Sequence, residues 1–438
     1  MTLRDRAQAA MKRLVTASRT ERILISASAL LLSVFIGGLI ILGAGRMAEC
    51  QTAAYTLAFP GSFVTQFTGG SSLFAMGFCY DPFAVYDKLF LGALGNVVID
   101  FSTMTFSWDP LNGQFATTLA ETTILAFTGV AVAVAFRAGV FNIGAQGQLV
   151  VGALLTAVAM LYVAPLFAGT GVVAGLVLLP LGILFGALGG GAYGALPGAL
   201  KAYADANEVI TTIMLNFVAT SVALYLVSDA SRFKDPESLA NQTKALPEFS
   251  QFPALLFRAR DDFSLLALGL AVLALVGIWY LLTRTSFGYD VRTSGIQPDA
   301  AEYGGVDADR TIVSSMALSG ALAGVGGAIY VLMQLGNFQT GVPSYGFDGI
   351  TVSILAGNNP LGVGFAALLF GVLQSGSIVV QVGSDVPPEL VGVLRGLIIL
   401  FVAMPEFFRL LGRKFGTLLP EDEQRRGAVA TDGGGSDE

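Results

Sequence analysis

The sequence predicts an all-α, polytopic membrane protein with about ten transmembrane helices, one of them broken or re-entrant. Three observations carry this expectation. Of 438 residues, 54% are hydrophobic and 13% are charged, about half the roughly 25% charge of an ordinary soluble domain. Stretches without a charged side chain, Ile23–Gly45, Ala138–Leu200, Val209–Ser228, Phe263–Thr283, Thr311–Phe347 and Gly349–Ser384, each hold at least one span of about 20 residues. Finally, residues 1–22 carry Arg4, Arg6, Lys12, Arg13, Arg19 and Arg22, whereas the chain from there to Asn112 has only Arg46 and Lys88. Such an asymmetry places the N-terminus in the cytoplasm.

From that start, spans are expected near 23–45, 115–136, 142–164, 172–196, 209–228, 263–283, 311–335, 338–357, 361–383 and 390–411, which leaves both termini cytoplasmic. The first runs into Gly45-Arg46-Met47 and not into a small-residue cleavage site, so it is read as a retained helix. Residues 46–114 follow as an extracytoplasmic loop holding Cys50 and Cys79, the only cysteines. In an oxidising compartment they either pair or remain two thiols. The transmembrane core, 115–411, carries a second long external loop at 229–262 and a polar cytoplasmic stretch at 285–310. In the eighth span Gly341, Pro343, Gly346, Asp348 and Gly349 interrupt the apolar pattern, which makes this the broken or re-entrant segment. Residues 412–438 form an acidic cytoplasmic tail, in which the stretch after Pro420 sets Glu421, Asp422, Glu423, Asp432, Asp437 and Glu438 against Arg425 and Arg426 and so leaves a body near neutral within the net charge of −7. Its composition reads as solvated disorder. A high-salt origin and an ordinary acidic tail explain the same numbers.

The chain has no histidine, the commonest metal ligand and acid–base catalyst. No Gly-x-Ser-x-Gly elbow and no metal-ligand cluster occur, so neither a catalytic residue nor a metal site is expected. No Gly-x-x-x-x-Gly-Lys-Ser/Thr loop occurs to cradle phosphates. The chain by itself is therefore not expected to be an enzyme. Polar groups inside spans cost roughly 1–3 kcal/mol or more unless partnered. Asn142, Gln146, Gln148, Glu208, Asn216 and Asp348 are the candidates for a solute path. Asn and Gln also join helices, and Glu208 or Asp348 suits a helix cap. Asn142 and Asp348 lead because adjacent glycines permit irregular backbone. Between two spans, Pro298 can open a short helix with Asp299 in its first turn, Ala300, Ala301 and Tyr303 on a face suited to a partner's groove, and Gly304-Gly305 at its end. Glycines clustered at 186–194 and 320–327 suggest closely packed helices.

Phe136-Arg137-Ala138-Gly139-Val140-Phe141-Asn142-Ile143-Gly144-Ala145-Gln146-Gly147-Gln148, Ala206-Asn207-Glu208-Val209-Ile210-Thr211-Thr212-Ile213-Met214-Leu215-Asn216, Tyr345-Gly346-Phe347-Asp348-Gly349-Ile350 and Asn359-Pro360-Leu361-Gly362-Val363 resemble the nucleoside and simple-sugar permeases. These belong to the group that includes branched-chain amino acid and ribose importers. The resemblance runs from about residue 81 to 411. Gln146 stands where an acid is common in that family, and the insertion at 46–80 is longer than expected. The resemblance implies a cytoplasmic ABC ATPase that binds ATP and Mg, docked through Pro298, Asp299, Ala300, Ala301, Tyr303 and Gly304. It also implies an extracytoplasmic solute-binding protein, a second and related permease subunit, and alternating access. The chain itself is expected to bind no cofactor and no nucleic acid. An ion-coupled secondary transporter is the alternative, for which Glu121, Glu208 and Asp348 leave room. No fixed pair of opposite charges awaits an amino-acid zwitterion.

Overall fold

A computed structural model describes residues 19–50, 53–60, 72–95, 97–100, 105–170, 172–229 and 232–403. The expectations for the basic N-terminal residues, the end of the last span and the acidic tail lie outside the described residues. The chain divides into two compact units, Met1–Pro82 with Gly392–Glu438, and Phe83–Val391.

The first unit begins with helix α1, Arg19–Met47. A hairpin follows in part of what the sequence reads as loop: β1, Tyr55–Pro60, pairs antiparallel with β2, Ser72–Phe78, in a register that sets Tyr55 opposite Phe78. Alternating aromatic and aliphatic residues favour strands in both segments. Cys50 and Cys79 are disulfide-bonded across the base of this hairpin. That outcome resolves the two alternatives for the thiols. The Cys79 N–H donates to the Gly45 carbonyl at 2.9 Å, holding the end of β2 to α1.

The second unit is a helical bundle. Helix α2, Pro82–Phe90, buries Val85 and Leu89, and a short hairpin of β3, Val98–Asp100, and β4, Thr105–Ser107, precedes the bundle proper. The long helices are α3 (Gly113–Arg137), α4 (Ala145–Val163), α5 (Val172–Ala204), α6 (Glu208–Val227) and α7 (Leu265–Arg284). Two short helices, α8 (Ser286–Ile296) and α9 (Pro298–Tyr303), lead to α10 (Ala308–Ile329), which continues as a π-helical turn over Tyr330–Leu335. Helices α11 (Tyr345–Leu355) and α12 (Pro360–Gly383) complete it, and α13 (Pro388–Ala403) begins there. Among the described residues, eight helices are long and apolar enough to cross a membrane.

Helix α3 is central: 89% of its apolar window is buried, against 22% for α6 and 28% for α7, whose outward faces carry Ile210, Phe217, Leu273 and Tyr280. The buried threonines of α3 spend their hydroxyls on carbonyls, Thr122 on Thr118 and Thr123 on Leu119, both at 2.7 Å. They therefore bring no unsatisfied donor into the apolar interior. Helices α5 and α10 lie so close that a Cβ on Gly190 would stand 2.2 Å from the Gly320 carbonyl oxygen. The glycines allow this approach, as small residues do between membrane helices.

Two interruptions position the interior. After α3, Gly139 adopts φ +72°, a left-handed turn that glycine makes at no steric cost. The chain turns back, and α4 begins at Ala145 inside the bundle. The second break is the eighth predicted span. Residues 338–340 pair with the 229–262 loop, Thr243 N–H donating to the Phe338 carbonyl at 2.8 Å and Thr340 N–H to Asn241 at 3.0 Å. Helix α11 then runs beside α3, with Tyr345 at Glu121, Gly349 against Thr128 and the Asn358 carbonyl accepting from Arg137 Nε at 2.9 Å. With 11 residues it is about 16 Å long, half a bilayer core. The eighth predicted span is thus a short helix preceded by irregular chain.

Candidate functional site

The starts of α4 and α11 meet in the interior, and the six sequence-derived path candidates divide around them. Asn142 is fully buried, its Nδ2 donating to Gln148 Oε1 and Ser319 Oγ at 2.8 Å each, and its Oδ1 accepting from Gln148 Nε2 at 3.1 Å. Ser319 donates in turn to the Ala131 carbonyl at 2.6 Å. Asn142 and Gln148 thus form a saturated clamp joining the re-entering chain, α4, α10 and α3. Asn216 of α6 accepts from Gly147 N–H at 2.7 Å and donates to the Ile143 carbonyl at 3.0 Å, capping α4 from a neighbouring helix. Gln146 accepts from Gly346 N–H at 2.8 Å and donates to the Pro343 carbonyl at 2.9 Å. Glu208 lies at the α5–α6 corner, 3.5 Å from Lys201 Nζ, and Asp348 accepts from Ser344 Oγ at 3.4 Å on α11. The structure brings the four amides together and leaves the two carboxylates apart from them.

None of the six lines the pocket beside these breaks. That pocket, about 270 Å³, is lined by Thr117, Ala120, Glu121, Asp261, Asp262, Tyr330, Gln334, Leu335 and Tyr345, close to the lower end of the size range of small-molecule sites. Glu121 is 6% exposed, and its Oε1 accepts from Tyr345 Oη at 3.0 Å and Gln334 Nε2 at 3.4 Å. The Tyr330 and Tyr345 rings cross edge to face with centroids 5.5 Å apart. Tyr330 and Gln334 both sit on the π-helical turn, a distortion frequent at functional sites. At the mouth, burial and the neighbouring charge of Asp261 hold the Asp262 carboxyl above its ordinary value. Sequence reasoning named Glu121 only as room for ion coupling. A lone carboxylate in the 27 residues between Asp109 and Arg137 was the available signal; the tyrosines gave none, since aromatic residues are common in apolar spans.

The six coupling candidates lie on and after α9. Pro298 is its first residue, and Gly305 at φ +85° ends it, with Val306 N–H reaching the Ala301 carbonyl at 3.0 Å, a Schellman closure. Pro298, Asp299, Ala300, Tyr303 and Gly304 are exposed, Tyr303 at 96%. Ala301 is 0% exposed: it anchors the helix and lies off the outward face where the sequence reading put it. Ile296 at the end of α8 is 83% exposed, an outward apolar side chain beside α9 that sequence reasoning did not name.

Among the described residues no group of His, Cys, Asp or Glu could hold a metal ion. Residues 114–403 match the family model for the branched-chain amino acid transport system permease component. The chain is 34% identical over 340 residues to the nucleoside ABC transporter permease protein NupB of Lactococcus lactis subsp. cremoris, covering 76% of this chain and 86% of that one. It is 36% identical over 309 residues to the guanosine ABC transporter permease protein NupP of Bacillus subtilis (68% and 83% covered), where a second matching guanosine permease, NupQ, also occurs. It is 33% identical over 316 residues to the glucose ABC transporter permease protein TsgB13 of Haloferax volcanii (69% and 79% covered). No solved structure matches.

Proposed function

The chain belongs to the family of branched-chain amino acid transport system permease components, and on that premise we propose that it is the membrane-spanning subunit of an ABC importer for nucleosides or simple sugars, worked by a separate ATPase. The observation that carries the solute assignment is the lining of the pocket: Glu121, Asp261 and Asp262 accompany tyrosine, threonine and glutamine, with no lysine or arginine among the lining residues. Such a wall accepts hydrogen bonds from N–H and O–H groups, and the crossed tyrosine rings offer faces to a base or a sugar. An anionic group about 5 Å from one carboxylate would lose about 3 kcal/mol at an effective dielectric of about 20. Nucleotides, sugar phosphates and the carboxylate of an amino acid are therefore poor solutes.

In this reading the ATPase docks on Ile296 at the end of α8 and on Pro298, Ala300 and Tyr303 of α9. That end of the bundle is cytoplasmic and both termini share that side. ATP and Mg belong to the ATPase, a solute-binding protein delivers from outside, and alternating access opens the pocket to each side in turn. The occurrence of two guanosine permeases, NupP and NupQ, in one organism supports a second, related permease as partner, and the apolar outer faces of α6 and α7 are available to it or to lipid. The buried carboxylate of Glu121 favours the competing reading, an ion-coupled carrier. Uptake of labelled guanosine, uridine, glucose and ribose, measured in cells lacking the chain and in cells whose ATPase carries a Walker-lysine substitution, separates them. One solute lost in both strains supports the importer; loss only without the chain refutes it.

A further inference from the structure

Helix α11 starts at the pocket, and its own N-cap is deficient. Ser344 makes no side-chain cap to the helix; its hydroxyl faces Asp348 instead, at 3.4 Å. The missing cap comes from Gln146 on α4, whose amide straddles the break, accepting from Gly346 N–H at 2.8 Å and donating to the Pro343 carbonyl at 2.9 Å. The backbones also touch, since a Cβ on Gly346 would stand 2.2 Å from Gln146 N. Tyr345 lies between the two anchored residues, and its hydroxyl is the closer of the two donors to Glu121 Oε1. Asn216 repeats the device one step earlier, accepting from Gly147 N–H and donating to the Ile143 carbonyl. Two amides thus tie α6 to the start of α4 and the start of α4 to the start of α11.

We propose that Gln146 is a positioning residue for solute transport: by capping α11 from α4 it holds Tyr345 where its hydroxyl meets Glu121 in the pocket. The proposal rests on the reading of that pocket as the solute site. An amide matches both contacts of this break, which presents one N–H to accept from and one carbonyl to donate to. An ionised glutamate keeps the first contact, loses the second and faces a carbonyl oxygen. A leucine loses both and leaves a buried donor unpaired.

The test uses the full chain in cells lacking the native copy, with labelled guanosine and, separately, labelled glucose as probes. Initial uptake is read at saturating and limiting concentrations, and folded permease in the membrane is quantified. Gln146→Leu is expected to lower saturated uptake at least tenfold, equivalent to about 1.4 kcal/mol, with permease within twofold of wild type, and Gln146→Glu to fall between. Tyr345→Phe is expected to be impaired, and combining it with Gln146→Leu to add little, as partners in one chain of contacts do. If Gln146→Leu does not accumulate, the same cycle is run with Gln146→Glu. Uptake within twofold of wild type for the Gln146 variants, or effects that multiply with Tyr345→Phe, overturns the proposal. Wild-type uptake by both Tyr345→Phe and Glu121→Gln overturns the pocket reading instead.

Discussion

Replacing Gly324 by alanine adds one methyl group at the tightest point between α5 and α10. The new Cβ would lie 2.1 Å from the Gly186 carbonyl oxygen and 2.9 Å from Gly190 Cα, where ordinary contact begins at 3.4 Å. No side-chain rotation relieves this, because both neighbours are backbone, so the helices must part locally by about 1 Å. Overpacking of this kind costs about 1–3 kcal/mol, offset by roughly 1 kcal/mol of helix propensity gained over glycine. Gly277 on α7 has nothing within 4 Å of its added Cβ, so Gly277→Ala keeps only the gain. The gain is common to both, so Gly324→Ala should be the less stable of the two by about 1–3 kcal/mol, or about 2–12 °C at about 2–4 °C per kcal/mol. Thermal unfolding of the purified chain in detergent, followed by tryptophan fluorescence, reads the gap. Equal shifts for both variants would refute the claim that backbone proximity, not glycine as such, holds this seam.

Reduction, or Cys50→Ser, should free the β1–β2 hairpin: closing a loop of 29-residue separation is worth about 3–4 kcal/mol in the chain-entropy model, and limited proteolysis should then cut between the strands faster than in the oxidised protein. Ala300→Arg should abolish co-purification of the ATPase with the thermal midpoint unchanged, whereas Ala301→Arg, at a buried position, should lower the midpoint itself; the opposite pattern would place the docking face elsewhere. Asp262 holds its proton to higher pH than the unfolded chain does, so its contribution to stability falls as pH rises through the window just above the ordinary carboxylate value. Asp262→Asn should match wild type where the acid is protonated and exceed it near neutrality, as a pH series of thermal midpoints would show. Glu121→Gln keeps an oxygen for Tyr345 but removes the charge, and should reduce uptake at least tenfold without loss of folded protein.

The helices were legible wherever an uncharged run was long enough to cross a bilayer, as at 209–228 or 263–283, because length and apolarity are properties of the segment alone. The break at 336–344 was legible from Gly341, Pro343 and Gly346. Its form was not, since whether α11 runs beside α3 depends on Arg137 and the 229–262 loop, hundreds and tens of residues away. The hairpin at 55–78 was missed because its strands are short and lie in a loop-length insertion. The amides were rightly singled out as buried, but their partners were unreadable. Asn142 and Gln148 satisfy each other, and Gln146 and Asn216 satisfy backbone, so polarity inside a span marked the breaks in these helices and not the pocket wall. Ala301 illustrates the same limit on a smaller scale: in a helix of six residues, sequence does not say which side faces the body.

A buried carboxylate such as Glu121 needs compensation, and the arrangement around it supplies this without a cation among the pocket-lining residues. Two donors reach one of its oxygens. The first turn of α11 begins at Tyr345 beside it, where the partial positive charge of a helix N-terminus favours an anion. A continuous helix through 336–355 would have carried that terminus to the end of the bundle, out of reach of Glu121. The irregular chain at 336–344 is therefore what lets an acceptor-rich pocket exist in the interior, and the Gln146 cap is what keeps that terminus in place. The π-helical turn brings Gln334 to the same carboxylate and Tyr330 against Tyr345. If this account is right, straightening either break should damage the pocket before it damages the bundle, because the seam between α5 and α10 and the clamp of Asn142, Gln148 and Ser319 hold the helices together independently of Tyr345.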